Sequence, residues 1–140
     1  MGEHDYYGKR IMQLAAGADY GPARQISFGK TRGGATIDGV VGDTIAVEIE
    51  SKNSKQVRGA ALDLIMHPHK KKLLVLVPMH MGNAQLCQEQ CDNILGTFVA
   101  REDYRVVLLR GTGSHPKEGL DVELVRSALA ELGFPSSLAA

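Results

Sequence analysis

The chain has 140 residues, 44% of them hydrophobic, and its 16 basic and 16 acidic side chains cancel to a formal net charge of zero. That length makes a single domain, residues 1–140, and the charge balance excludes a protein held to nucleic acid by a global basic field, so any such contact needs a local patch. No apolar run reaches the ~20 residues of a membrane helix, and Met1-Gly2-Glu3-His4-Asp5 has neither a basic start nor an apolar core, which points to a cytoplasmic protein.

Tyr7, Ile11, Leu14 and Ala15 recur at helical spacing over residues 3–16, with Gly17 as the stop. Residues 24–28 read as a short strand. The Gly29-Lys30-Thr31 triplet behind it is no phosphate loop, because Arg24 stands where that motif needs its first glycine and no helix pattern follows. Between Ile37 and Lys52 two β-branched runs surround a Gly42-Asp43 turn, the pattern of a hairpin. Val57, Ala60, Ala61, Leu64 and Ile65 then form one stripe of a helix over 54–66, opened by Asn53 as N-cap with Gln56 three residues on. Residues 73–77 are continuously apolar, as a strand covered on both faces requires. A helix over 84–97, a second buried strand over 105–109 and a last helix over 119–132 complete the chain, with Val125, Ala128, Leu129 and Leu132 inward and Gly133 and Pro135 as the stop. The order αβββαβαβα predicts an α/β fold.

Cys87 and Cys91 align with Ile94, Leu95 and Phe98 on one helix stripe and read as reduced core thiols; their spacing to His67, His69 and His80 fits no standard zinc site. His67-Pro68-His69 ends a helix, where imidazolium is favoured by the helix dipole. Lys70, Lys71 and Lys72 read as a solvated strand entrance. The Gly111-Thr112-Gly113-Ser114 loop either turns the chain or offers amides to an anion, which keeps an unrelated small-molecule enzyme as a third reading.

The chemistry concentrates in the hairpin. Along its second run Val47, Ile49 and Ser51 point to one side, and Glu48, Glu50 and Lys52 to the other. Such a row can serve solubility alone, but Val40, Val41, Ile45, Val47 and Ile49 make the hairpin too apolar for a free edge. A two-residue turn would set Asp38 opposite Val47, on the wrong face. A three-residue connection over 42–44, or a bulge, sets it opposite Glu48, and this is the expected register.

Asp38 followed by Glu50-Ser51-Lys52 and then a helix resembles the PD-(D/E)xK nuclease superfamily, and Gly33-Gly34-Ala35-Thr36-Ile37-Asp38 is similar to the approach to that Asp in its small Holliday-junction resolvases. Ile37 stands where the motif has its proline. The resemblance implies a restriction-endonuclease-like αβββαβ core with a mixed central sheet flanked by helices, and a nuclease that hydrolyses DNA phosphodiester bonds with Mg²⁺ or Mn²⁺, either structure-selective or restriction-type. It implies Asp38, Glu50 and the Ser51 main-chain carbonyl as metal ligands, and Lys52 as the group that orients or deprotonates the attacking water and stabilises developing charge. Glu3, Glu48 and Gln56 are accessory candidates; Glu48 could equally form an ion pair with Lys52 or Arg58. Lys30, Arg32, Lys55 and Arg58 are the expected DNA-binding residues. A homodimer is expected, because one small core grips little duplex and cutting both strands needs two sites. The alternative is a nuclease-like fold that no longer cuts and serves as a nucleic-acid or protein interaction module.

Overall fold

Alternating β-branched runs and amphipathic stripes build a layered molecule around one sheet. The computed structural model describes residues 3–22, 26–27, 34–35, 37–52, 54–112 and 117–134. Its elements in chain order are α1 (Glu3–Ala16), β1 (Tyr20–Gly21), β2 (Ile26–Ser27), β3 (Gly34–Ala35), β4 (Gly39–Val41), β5 (Ile45–Glu50), α2 (Ser54–Met66), β6 (Lys71–Leu76), α3 (Ala84–Phe98), β7 (Tyr104–Leu108) and α4 (Glu118–Glu131). The main sheet has five strands in the order β1-β4-β5-β6-β7, and β2 and β3 pair only with each other. β1, β4 and β5 are antiparallel neighbours, whereas β5, β6 and β7 run parallel. The parallel steps need crossovers, which α2 and α3 supply.

β6 lies between β5 and β7 with residues buried on both faces, which is why its sequence is continuously apolar. Leu73 and Val75 join Tyr7, Ile11 and Met12 of α1 and Val125 and Leu129 of α4 in one core. Leu74 and Leu76 join Val57, Ala61 and Leu64 of α2 and Cys87, Cys91 and Leu95 of α3 in the other. Each such buried Leu or Val contributes roughly 1.5–3 kcal/mol, so the two layers together fix the sheet between the helix pairs. No helix among the described residues is long and apolar enough to cross a membrane.

The sequence pattern placed α2 and α3 within a residue of their ends and misread some surroundings. The part of residues 24–28 that is described, β2, lies outside the main sheet, and its expected place is taken by β1, too short to carry any periodicity. Leu14 is 43% exposed and Phe98 67% exposed, so neither belongs to the stripe assigned to it; Met12 fills the α1 position instead. A helix of 3.6 residues per turn carries positions 7, 11 and 12 on one face and turns 14 to its margin.

Candidate active site at the β4–β5 hairpin

The hairpin pairs Val41 with Ile45, Val40 with Ala46 and Gly39 with Val47, so Gly42, Asp43 and Thr44 form a three-residue connection. The ladder ends at Gly39 and Val47, and Asp38, in the bend just before β4, lies beside Glu48, as an odd-length connection allows. Gly42 makes the turn at φ 57°, a left-handed conformation that suits glycine, and donates its N–H to Asp19 O at 2.8 Å. The Asp38 N–H donates to Glu48 Oε1 at 2.9 Å, and Asp38 Oδ2 accepts from the Ile49 N–H at 2.6 Å. Ala46 packs in the α2 and α3 core, so strand alternation turns Glu48 and Glu50 to that same face.

Burial dominates the electrostatics here. Glu48 is 8% exposed, and desolvation pushes its carboxyl far above the ordinary value, helped by the hydrogen bond and charge of Asp38 and, more weakly, by the charge of Asp63. The Asp38 amide pulls the other way and is outweighed. Tyr20 is pushed up to about 12, by burial first and then by the charges of Asp38 and Glu48. The expected ion pair of Glu48 with Lys52 or Arg58 does not form among the described residues; Glu48 bonds to Asp38 instead. Tyr20 and Asp63 are neighbours that the sequence reading missed. For Asp63 a signal existed: a lone acid at the margin of the Val57, Ala60, Ala61, Leu64 stripe.

Glu50 closes β5, and its Oε2 accepts from the Ser51 N–H at 2.9 Å and the Lys52 N–H at 3.4 Å. Lys52 is exposed and sits in a bend past the strand end, so strand alternation does not place it on the face of Glu48 and Glu50 as expected. The Ser51 carbonyl accepts from the His80 N–H at 3.3 Å, and Val77 N–H donates to Glu50 O at 2.9 Å, which straps the exit of β6 onto this segment. Ser51 Oγ is buried with no hydrogen-bond partner among the described residues. Lys55, Gln56 and Arg58 are exposed on the first turns of α2. Lys30, Arg32, Asn53 and the side chain of Glu3 lie outside the described residues.

Among the described residues no three His, Cys, Asp or Glu side chains converge as a metal cage. Magnesium asks for less, since one or two carboxylates and several waters hold it. Asp38, Glu48 and Glu50 are oxygen donors of the right type, and a protonated carboxyl pressed against a second one is a pair that a cation would relieve. The pair Asp38 and Glu48 therefore fits the one or two carboxylates that a hard divalent ion takes, while Glu50 is engaged by the Ser51 and Lys52 amides. No protein-family model, curated protein or solved structure matches the chain. The class that the molecule itself defines is α/β, a five-strand mixed sheet flanked by four helices among the described residues.

Other sequence candidates resolve into packing. Lys72 is buried and its Nζ donates to His67 O at the end of α2, while Lys71 Nζ donates to Leu132 O at the end of α4. These are helix caps on opposite faces of β6, not the solvated entrance expected. His67 is correspondingly neutral: burial, then His69 and Lys72, lower it to about 4, and its Nδ1 accepts from the His69 N–H at 3.2 Å. Cys87 and Cys91 are buried free thiols, and burial pushes Cys91 up to about 12. The Gly111 amide is already used, because the fully buried Asp121 accepts from Gly111 N–H at 2.9 Å, Arg110 N–H at 2.7 Å and Tyr7 Oη–H at 2.6 Å.

Proposed function

We propose that the chain is a divalent-metal-dependent nuclease acting on DNA. One observation carries the reading: the three-residue turn brings Asp38, in the bend before β4, against the carboxyl of Glu48, which shares its strand face with Glu50 at the strand end from which the chain enters α2. The order α1, then β1, β4 and β5 as an antiparallel run, then α2 and a parallel β6 supports a restriction-endonuclease-like αβββαβ core, with β2 and β3 as an insertion. In this reading Asp38 and Glu50 would hold the cation, with Ser51 O beside them, and the bound ion would polarise a phosphoryl oxygen and lower the pKa of a water. Glu48 holds Asp38 in place through the Asp38 N–H. Lys52, two residues past the strand and exposed, orients the attacking water and meets the charge that develops on phosphate. Lys55 and Arg58, at the start of α2, meet flanking phosphates where the helix dipole also favours them.

A second reading rests on the Glu50 carboxylate, which is turned onto the Ser51 and Lys52 amides rather than toward Asp38. It makes the chain a non-cutting interaction module with a nuclease-like layout. Incubation with supercoiled plasmid and branched DNA in Mg²⁺ or Mn²⁺ separates the two. The nuclease reading expects cleavage that EDTA abolishes and that Asp38→Asn removes; DNA left intact in both metals defeats it.

A further inference from the structure

We propose that the carboxyl-terminal edge of the parallel strands is a phosphate track, in which Lys52, Arg110 and Lys117, with His80 between, grip one nucleic-acid backbone leading away from the hairpin. The inference rests on the nuclease reading for its substrate and adds residues outside the hairpin and α2.

The register aligns Glu50 with Leu76 and Leu76 with Leu108, so the three parallel strands end level with one another. Ligands of open α/β sheets bind outside this edge. Each strand is followed there by an exposed basic residue: Lys52 after β5, His80 after β6 and Arg110 after β7. Neighbouring strands are ~4.8 Å apart, so the row from β5 to β7 is about 10 Å long. That is long enough to meet more than one phosphate of a strand.

The backbone of this row is fixed. His80 N–H is bonded to Ser51 O, Leu109 N–H to Leu76 O at 2.9 Å, and Arg110 N–H to Asp121. Lys117 joins the row through Gly111: a Cβ there would lie 2.9 Å from Lys117 Cβ and 2.5 Å from Tyr7 Oη, so the missing side chain lets the exposed lysine stand against the Arg110 turn. Three described acids near this edge are used internally. Asp121 is enclosed by two amides and a phenol, Glu50 accepts two amides, and Glu118 pairs with Arg10 at 2.9 Å. Lys52, Arg110 and Lys117 are exposed while these three carboxylates are engaged, which gives an otherwise neutral chain the local basic patch that phosphate binding needs.

The test measures binding of a fluorescent branched DNA to the full chain in Ca²⁺, at several salt concentrations, for the parent, Arg110→Ala/Lys117→Ala, Arg110→Glu and the control Lys9→Ala. The double variant should bind at least tenfold more weakly at 100 mM salt and lose about two contacts from the salt dependence, a slope change of roughly 1.8. Arg110→Glu should weaken binding further, and Lys9→Ala should match the parent. The altered side chains are exposed, and thermal melts matching the parent's show that the fold is kept. If the parent binds and cuts DNA while both Arg110 variants keep its affinity and slope within twofold, the track is overturned and the nuclease reading stands. If the parent neither binds nor cuts, the nuclease reading itself falls and the track with it.

Discussion

Asp38 and Glu48 hold each other across the antiparallel pair β4–β5: the Asp38 N–H reaches Glu48 Oε1 at 2.9 Å, and the Glu48 carboxyl is raised by burial and by Asp38. Two acids that crowd one another on a sheet face are costly to fold unless a proton or a cation lies between them. This relation links the stability of the hairpin to the chemistry proposed for it.

The metal ligands and Lys52 should separate in kinetics. Asp38→Asn and Glu50→Gln should weaken both cation affinity and cleavage, because neutral amides bind hard divalent ions poorly. Lys52→Ala should keep the cation and lose roughly a hundredfold or more in cleavage rate. Metal titration by calorimetry beside plasmid cleavage checks this; equal cleavage by Lys52→Ala and the parent removes the lysine from the mechanism.

Glu48 should make metal-free protein less stable as pH rises. Its folded pKa lies above the ordinary 4.5, so the native state keeps a proton that the unfolded chain releases, and the stability present below that value is lost with rising pH. His67 acts in the opposite sense, with a folded pKa near 4 against 6.5, and costs stability only as pH falls below about 6.5. Above pH 7 the Glu48 trend stands clear of His67, and Lys72, lowered by burial to about 8, opposes it equally in the parent and in Glu48→Gln, so the difference between the two slopes reads Glu48. Urea midpoints in EDTA at pH 7 and 8 should fall for the parent and flatten in Glu48→Gln, which copies the protonated form; identical slopes would refute the assignment.

Lys72→Met should cost about 1–3 kcal/mol, since the α2 terminus loses a buried donor at His67 O. Lys71→Met, from a less buried position, should cost less. Chemical denaturation of both variants reads the difference, and equal small losses would return these lysines to the solvated role suggested by their charge run.

The Tyr7–Asp121 link should be unequal from its two ends. Tyr7→Phe removes one donor from a carboxylate that keeps two amides, for about 1–2 kcal/mol. Asp121→Ala strands three donors at once and should cost at least about 3 kcal/mol. Thermal unfolding distinguishes them, and a larger loss from Tyr7→Phe would contradict the geometry.

Sequence alone determined what repeats locally. The apolar stripe of 54–66 and the unbroken run of 73–77 announced α2 and β6, because helix and strand periods are written in consecutive residues. The placement of Asp38 beside Glu48 was legible for the same reason: with a side-chain period of two, only an odd connection joins those acids on one face. Tertiary structure alone decided the destinations. β1 has two residues and exists because β4 pairs with it. Lys72 is buried because the end of α2 lands over the head of β6, and Asp121 is satisfied because α1 and the turn after β7 arrive from distant parts of the chain. Strand alternation does not reach Lys52, because β5 ends at Glu50 and the chain bends toward α2. A polar side chain's partner depends on which backbone ends meet in space, and no local period encodes that meeting.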